Sequence, residues 1–251
     1  MKSRDKRVVI LADTSTHMMP ALAREMASRD HDLVLGDARS GLAKDLIKLG
    51  AKVEVVPDTA DQTREDTIQK LVDRAIDVFG GFDSAFIRTG THGTGNILET
   101  TREDCDMQYE GNFLSVFFAL QALLPPLVAQ RKGQVVINTS ASSLRPRGFA
   151  ALNCATRAGA NALVQAAALT VAQYGVTLNG TGTYAMDYPS FLRDVGADTD
   201  PEKLREIEQA LPLKKLCDPE EAAHFIATLI DGRGTFQTAQ FFAIDGGWSL
   251  M

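Results

Sequence analysis

Short runs of β-branched and other apolar residues alternate along the chain with longer segments whose apolar residues recur at helical spacing. This alternation is typical of a parallel β-sheet with helices on both faces, because each pair of parallel strands needs a crossover connection. We predict strands at residues 8–12, 32–36, 53–56, 84–87, 135–139, 176–180 and 240–244, and helices at 20–28 and 63–79. The 251 residues contain no linker or repeat, so residues 1–251 are predicted to form one doubly wound α/β domain.

Two further predicted helices, at residues 112–129 and 155–173, lack the polar face of an ordinary surface helix. The first is apolar nearly all round, and the second carries almost no charge after Arg157. A helix that is apolar all round is normally buried on all sides. We therefore expect the pair to form an oligomer interface, with purely internal packing as the alternative. The side chains that a monomer would leave partly in water are expected to be Phe117, Phe118, Leu120 and Leu124.

The charge balance and the cysteines argue against several classes of function. A formal net charge of −6 argues against a nucleic-acid or membrane-surface role. No window reaches the roughly 18 apolar residues of a membrane-spanning helix, and the N-terminus does not resemble a secretory signal. Cys105, Cys154 and Cys217 lie far apart and form no CxxC pair. These features predict a cytoplasmic protein without a disulfide framework or a metal centre.

Several strings, in order, resemble the short-chain dehydrogenase/reductase family over essentially the whole chain. GQVVINTS at residues 133–140 resembles the strand that ends in the family's catalytic serine, here Ser140. Gly111-Asn112 matches the family's helix asparagine, and IDGGW at residues 244–248 resembles its C-terminal strand and turn. Pro212-Leu213 and DPEEA at residues 218–222 resemble the stretch before its last helix. The resemblance implies a Rossmann-like fold and an NAD(P)-dependent oxidoreductase.

The turn after the first strand departs from the family's pattern. Where the family has Thr-Gly-x-x-x-Gly-x-Gly around the cofactor pyrophosphate, Asp13, His17 and Met19 occupy the three glycine positions. We expect His17 and Met19 to place side chains where the phosphates would lie. The charge of Asp13 would repel a phosphate about 4 Å away by roughly 4 kcal/mol. We therefore expect this chain to bind no dinucleotide, with an unusual cofactor loop as the alternative.

Three other positions match cofactor contacts of the family. Asp37 corresponds to its ribose-binding acid and Asp58 to its residue near the adenine, although each is equally typical of a solvated loop. Gly90 is all that remains of the family's Asn-Asn-Ala-Gly after the fourth strand. We interpret the three residues as relics of a cofactor site.

The resemblance also implies an active site that has lost its proton donor. The family follows its serine with a Tyr-x-x-x-Lys pair, and Asn153 and Arg157 stand at those positions here. Positions i and i+4 share a helix face, so both side chains are expected beside Ser140. An asparagine amide neither gives nor takes a proton near neutral pH. Asn112, Ser140, Asn153 and Arg157 therefore predict a vestigial site that performs no redox catalysis.

Three functions remain open from the sequence. The first is a non-catalytic subunit that assembles with an active homologue holding NAD, as in the two-subunit hydroxybenzylsuccinyl-CoA dehydrogenases, in which one chain is degenerate. The second is a cofactor-independent enzyme similar to the halohydrin dehalogenases, whose arginine and pocket loop resemble Arg157, residues 183–184 and residues 187–189. The third is an atypical NAD(P)-dependent oxidoreductase, although none of the four tyrosines precedes a lysine by four residues.

Other side chains are weaker candidates for chemistry. The histidines show no metal-ligand spacing, and Cys154 is more typical of a buried helix thiol than of a nucleophile. Four arginines are predicted to line an anion-binding site, for instance for a CoA ester, with solvated side chains as the alternative. These candidates are His17, His31, His92, His224, Cys154, Arg88, Arg145, Arg147 and Arg157, and the tyrosines are Tyr109, Tyr174, Tyr184 and Tyr188.

Overall fold

The computed structural model describes residues 5–91 and 93–251, and His92 and the first four residues lie outside it. All strand pairs in its seven-stranded sheet are parallel, in the order β3-β2-β1-β4-β5-β6-β7. The strands are β1 (Arg7–Leu11), β2 (His31–Gly36), β3 (Val53–Val56), β4 (Ser84–Arg88), β5 (Gly133–Asn138), β6 (Val176–Thr183) and β7 (Phe241–Ile244). The predicted single-domain, doubly wound α/β fold with seven strands is confirmed.

The helices are α1 (Met19–Ser28), α2 (Leu42–Lys48), α3 (Thr67–Phe79), α4 (Arg102–Tyr109), α5 (Ser115–Gln130), α6 (Ala151–Val171), α7 (Pro189–Asp194), α8 (Pro201–Gln209) and α9 (Pro219–Ile230). A single π-helical turn, Glu110–Leu114, joins α4 to α5. The helix predicted at 155–173 begins one turn earlier, so Asn153 lies in the first turn of α6. The helix predicted at 63–79 begins only at Thr67, and β6 extends three residues beyond its predicted end.

Alternate residues of the central strands point to opposite faces of the sheet, as the pleat requires. Val8 and Ile10 of β1 pack in one apolar core with side chains of α3, α5 and α6. Val9 and Leu11 pack in a second core with side chains of α1, α2 and α9. The two cores cover both faces, and the carboxyl ends of the strands open into one cleft, which is where ligands bind in sheets of this kind.

The α5–α6 pair is buried on its sheet side only. Phe117 on α5 is 37% exposed and Leu169 on α6 is 71% exposed. The expectation that Leu120 lies partly in water is wrong, because this side chain is 4% exposed and belongs to the core beside Val116 and Leu123. Sequence periodicity does not distinguish the two apolar faces of α5, since only the packed fold decides which one meets the sheet.

One continuous helical stretch, Arg102–Gln130, is long and apolar enough to cross a membrane by length and composition, and an 18-residue window within it has a mean hydropathy of 1.7. In the fold, α5 contributes Val116, Ala119, Leu123 and Leu127 to the core beneath the sheet. Its apolar composition is therefore that of a core helix.

Candidate functional site: a cavity at the carboxyl ends of the strands

A cavity of about 480 Å³ opens at the carboxyl ends of β1, β4, β5 and β6. Its floor is formed by the residues that follow β4 and β5, including Gly90 and Ser140. Its walls come from the β1–α1 turn, from α6 and from the segment that contains α7. The side chains considered below that line it are His17, Arg88, Ser140, Arg147, Phe149, Asn153, Arg157, Tyr184, Tyr188 and Phe191.

The β1–α1 turn keeps left-handed backbone conformations without glycine. Asp13 has φ of 49° and His17 has φ of 57°, in the region where glycine is the usual residue. The Asp13 carboxylate accepts hydrogen bonds from Ser15 at 2.6 Å and from Arg88 Nη2 at 3.1 Å. Burial acts to raise the pKa of Asp13, but these two hydrogen bonds outweigh it and hold the pKa below its ordinary value. Asp13 therefore forms an ion pair, and its charge at the turn is balanced by Arg88.

His17 reaches across the mouth of the cavity. Its Nε2 lies 3.3 Å from Ser190 Oγ on α7, and its ring meets the Tyr188 ring edge-on at 4.7 Å. Burial, helped by the positive charge of Arg88, lowers the pKa of His17 to about 4, so the ring is neutral at pH 7. The imidazole thus connects the β1–α1 turn to the segment after β6.

The expectation for Met19 is wrong. Its side chain is fully buried in the core beside Leu22 and Met26 and is absent from the cavity lining, whereas the neighbouring Met18 reaches the lining. The first residue of α1 points inward because α1 starts at Met19 and packs that face on the sheet. Of the three residues at glycine positions, Asp13 and His17 are therefore the two that change the surface of the turn.

Asp37 and Asp58 hold the loops at the other half of the cleft. Asp37 accepts hydrogen bonds from the backbone N–H groups of Asp58 at 3.0 Å and Thr59 at 2.6 Å, and from the Thr59 hydroxyl at 3.3 Å. Asp58 pairs with Arg64 at 3.1 Å. Both carboxylates at positions that the resemblance assigns to cofactor contacts are thus engaged within the protein. Asp13 and His17 likewise place side chains on the β1–α1 turn, where the resemblance implies glycine.

Asn153 lies at the centre of a buried network of neutral polar groups. Its Oδ1 accepts a hydrogen bond from Ser142 Oγ at 3.0 Å, and its Nδ2 donates to Gln108 Oε1 at 3.3 Å. Ser142 Oγ lies 2.8 Å from Ser140 Oγ, and Asn112 Nδ2 donates to Gln108 Oε1 at 2.9 Å. The structure therefore brings Asn112, Ser140 and Asn153 together, as predicted, through two residues that sequence reasoning missed.

The two missed residues carry weak sequence signals. Gln108 lies four positions before Asn112, the spacing that shares a helix face, and Ser142 lies two positions after Ser140. The π-helical turn between α4 and α5 carries Asn112, whose Oδ1 accepts from the Thr91 backbone N–H at 3.0 Å. No group in this network titrates near neutral pH, so the network orients and polarises without transferring a proton.

Arg157 lies one helical turn beyond Asn153 and points into the same cavity. Its Nη1 donates to the Thr89 carbonyl at 2.9 Å, and its guanidinium packs directly against Gly90. A Cβ at Gly90, which has φ of 114°, would overlap that guanidinium. The glycine that the resemblance assigns to the cofactor thus makes room for an arginine in this chain.

Two of the four tyrosines belong to the cavity. Tyr188 is largely buried, and burial raises the pKa of its phenol. Tyr184 stacks on Trp248 with ring centroids 4.1 Å apart. Tyr109 stacks on Phe113 and Tyr174 lies under Arg131, so both are outside the site.

The remaining candidates lie elsewhere. His31 is buried, and burial lowers its pKa, while its Nδ1 lies 2.9 Å from the Arg29 carbonyl. His224 pairs with Glu25 on the surface, and His92 lies outside the described residues. Cys154 is buried and accepts a weak hydrogen bond from the Arg147 backbone. Within residues 5–91 and 93–251, no three His, Cys, Asp or Glu side chains come together as metal ligands.

Of the arginines, Arg88, Arg147 and Arg157 line the cavity. Arg145 does not, because it donates to the Trp248 carbonyl at 2.8 Å and lies over the indole ring. Three of the four arginines predicted for an anion-binding site therefore line the cavity.

A parallel sheet of this order, with a cavity at the carboxyl ends of its strands, defines the Rossmann-like class of α/β fold. The pattern of the family described as enoyl-(acyl carrier protein) reductase matches residues 19–249. The chain therefore belongs to the short-chain dehydrogenase/reductase family, whose members are oxidoreductases.

Its relatives are distant but match along their whole length. It is 24% identical to the 2,5-dichloro-2,5-cyclohexadiene-1,4-diol dehydrogenase LinX of Sphingobium indicum, over 97% of this chain and 96% of the relative. It is 26% identical to dehydrogenase/reductase SDR family member 6 of Aquarana catesbeiana, over 98% of each chain. Among solved structures, YwfH, an NADPH-dependent reductase involved in bacilysin biosynthesis, gives a TM-score of 0.90 at 16% identity, over 97% of this chain and 98% of that one.

Proposed function

We propose that this chain is a non-catalytic subunit with the short-chain dehydrogenase fold, which assembles with an intact NAD-dependent homologue into a hydroxyacyl or alcohol dehydrogenase. The observation that carries the proposal is the position of Asn153. The amide stands where the family places its tyrosine, beside Ser140 and within one helical turn of Arg157. An amide there holds the hydrogen-bond geometry of the site but supplies no proton.

The proposal assigns no cofactor to this chain and places NAD in the partner. Asp13 and His17 put side chains on the turn where the resemblance implies bare backbone around a pyrophosphate. The carboxylate of Asp37 is already hydrogen-bonded by the loop after β3. These contacts hold the cleft together without a dinucleotide.

The exposed faces of α5 and α6 support assembly. The exposed face of α6 carries alanine at positions 155, 158 and 162 over about two helical turns. Beyond the exposed Gln165 it continues with Ala166 and Leu169. Small residues allow another helix to approach closely, and contiguous apolar surface on a soluble chain marks an interaction site. A homologue with the same fold presents helices of matching length, so we take it as the occupant of this surface.

The test is to search the neighbouring genes for an intact Tyr-x-x-x-Lys dehydrogenase and to co-express it with this chain. We expect a stable hetero-oligomer by light scattering, with dehydrogenase activity that requires both chains. Asn153→Ala in this chain should leave that activity within a few-fold of wild type, whereas Tyr→Phe in the partner should abolish it. A stable monomer of this chain, or full activity of the partner alone, would overturn the proposal.

A cofactor-independent enzyme, similar to the halohydrin dehalogenases or to a lyase, is the second candidate. The observation that favours it is the shared cavity of Ser140, Arg157 and Tyr184, which offers a hydroxyl, a cation and a phenol to one ligand. Halide release from a vicinal haloalcohol by the purified chain, abolished by Tyr184→Phe, would favour it. An atypical NAD(P)-dependent oxidoreductase is the third candidate, since LinX and dehydrogenase/reductase SDR family member 6 are named dehydrogenases. A CoA ester remains a predicted small-molecule ligand of the assembly.

A further inference from the structure

Arg157 is a buried cation without an acidic partner. The residue is 7% exposed, and its Nε is buried with no hydrogen-bond partner. Its hydrogen bonds go to the Thr89 carbonyl and, at 3.4 Å, to the Thr89 hydroxyl, which are neutral groups. Within the described part of the chain, no carboxylate lies within ion-pair distance of the guanidinium. A buried charge of this kind normally has a counter-ion, because removing it from water without one is costly.

Among the described residues, Arg88, Arg147, Arg157 and Lys203 line the cavity together with one carboxylate, that of Asp194, so the lining carries an excess of positive charge. Arg88 is balanced by Asp13. Arg147 also has no acidic partner among residues 5–91 and 93–251: its guanidinium lies over the rings of Phe149 at 4.7 Å and Tyr184 at 5.7 Å, and its Nε has no hydrogen-bond partner there. The positive charge of Arg88 adds to burial in lowering the pKa of Arg157, to about 9. Thus two arginines without acidic partners face one cavity of a chain whose net charge is −6.

The walls beside these arginines are apolar and aromatic. Phe149, Tyr184, Tyr188, Phe191 and Ile207 line the cavity around the polar floor. A site with one charged anchor and apolar walls is suited to a small organic molecule with one charged end. The cavity volume of about 480 Å³ lies within the range of pockets for such molecules.

We propose that the cavity binds a small organic carboxylate, whose carboxylate lies on Arg157 and whose apolar body lies against the aromatic wall. A planar guanidinium matches a carboxylate with two parallel hydrogen bonds, which a single ammonium group cannot do. Gly90 makes the site possible, because any side chain there would displace the guanidinium. The site does not depend on the assembly proposed above, since all its lining residues belong to one chain.

The test uses benzoate as the probe and benzamide as its neutral counterpart, by calorimetry and thermal unfolding of the purified full chain. We expect benzoate to bind and to raise the unfolding temperature, and benzamide to bind at least tenfold more weakly. Arg157→Gln should weaken benzoate binding at least tenfold, and Arg157→Lys should be intermediate. Arg193→Gln is the matched control, because it changes the net charge equally on α7 without lining the cavity.

Several results of this experiment would overturn the proposal. Equal binding of benzoate and benzamide, or unchanged benzoate binding by a folded Arg157→Gln protein, would overturn the proposal. Tighter binding of inorganic phosphate than of benzoate would overturn the assignment to a carboxylate. If Arg157→Gln does not fold, the Arg157→Lys protein must show the loss of affinity on its own. Failure of this binding leaves the co-expression result untouched, so the two proposals are tested separately.

Discussion

Aspartate on the outer faces of α5 and α6 should dissociate the proposed assembly while leaving the subunit folded. The change is Phe117→Asp together with Leu169→Asp, two side chains that are 37% and 71% exposed in the single chain. Leu120→Asp is unsuitable, because Leu120 is a core residue and its replacement would unfold the chain.

The magnitude follows from the area that these side chains still expose. Full burial of a leucine or phenylalanine contributes about 1.5–3 kcal/mol. Scaled by the exposed fractions, burial in an interface contributes about 1–2 kcal/mol for Leu169 and about 0.5–1 kcal/mol for Phe117. Losing both weakens association by roughly 10- to 100-fold. The desolvation of two aspartates adds to this loss, so the range is a lower bound.

The assay is sedimentation of the co-expressed complex across a range of concentrations, with Ile47→Asp as the matched control. Ile47 is 56% exposed on α2, on the other side of the sheet, so the control places the same charge on an exposed helix surface. The thermal unfolding of both variant subunits should differ little from wild type, as expected for surface changes. If the double variant sediments as the intact complex, or the control dissociates equally, the assigned interface is wrong.

Three further outcomes are expected. NAD(H) and NADP(H) should give no measurable heat on titration into the purified chain. The double variant Asp13→Gly, His17→Gly should bind NAD(H) more tightly than wild type, because it removes both side chains from the turn and glycine suits the φ angles of 49° and 57° there. Micromolar binding of NAD(H) by wild type would refute this reasoning. Asn153→Tyr with Arg157→Lys should give no hydride transfer in a spectrophotometric assay, because the turn after β1 is unchanged; substantial turnover would show that the turn accepts a dinucleotide. Stability should fall between about pH 6.5 and pH 4, because the pKa of His17 is lowered to about 4 in the fold while the unfolded chain takes up the proton near 6.5. His17→Gln should flatten that part of the urea-unfolding profile, and an unchanged profile would contradict the burial argument.

Local patterns were sufficient to predict much of the candidate site. The spacing of Ser140, Asn153 and Arg157 predicted one helix face beside the serine, because i and i+4 positions coincide on any α-helix. It could not predict the links between them. Ser142 and Gln108 complete the network through contacts across 11 and 45 residues of chain, and such contacts exist only once α4, α6 and the β5 end are packed together.

The charges of the cleft were the least predictable feature. As a residue type, Asp13 implied repulsion of a phosphate, yet in the fold it pairs with Arg88, 75 positions away. Met19 follows the same turn, but its side chain is buried in the core. Side-chain direction in a turn depends on backbone conformation and on what the next helix packs against, neither of which a motif alignment contains.

The sequence by itself determined the doubly wound fold, since alternating strand and helix periodicities allow few other arrangements, and it determined that no tyrosine stands at the Asn153 position. Only the tertiary structure decided that Gly90 accommodates Arg157 and that Leu120 faces the core while Phe117 faces outward. It also decided that Arg157 is buried without an acidic partner among the described residues. Periodicity is a property of neighbouring residues, whereas burial and charge pairing arise between segments that are distant in the chain.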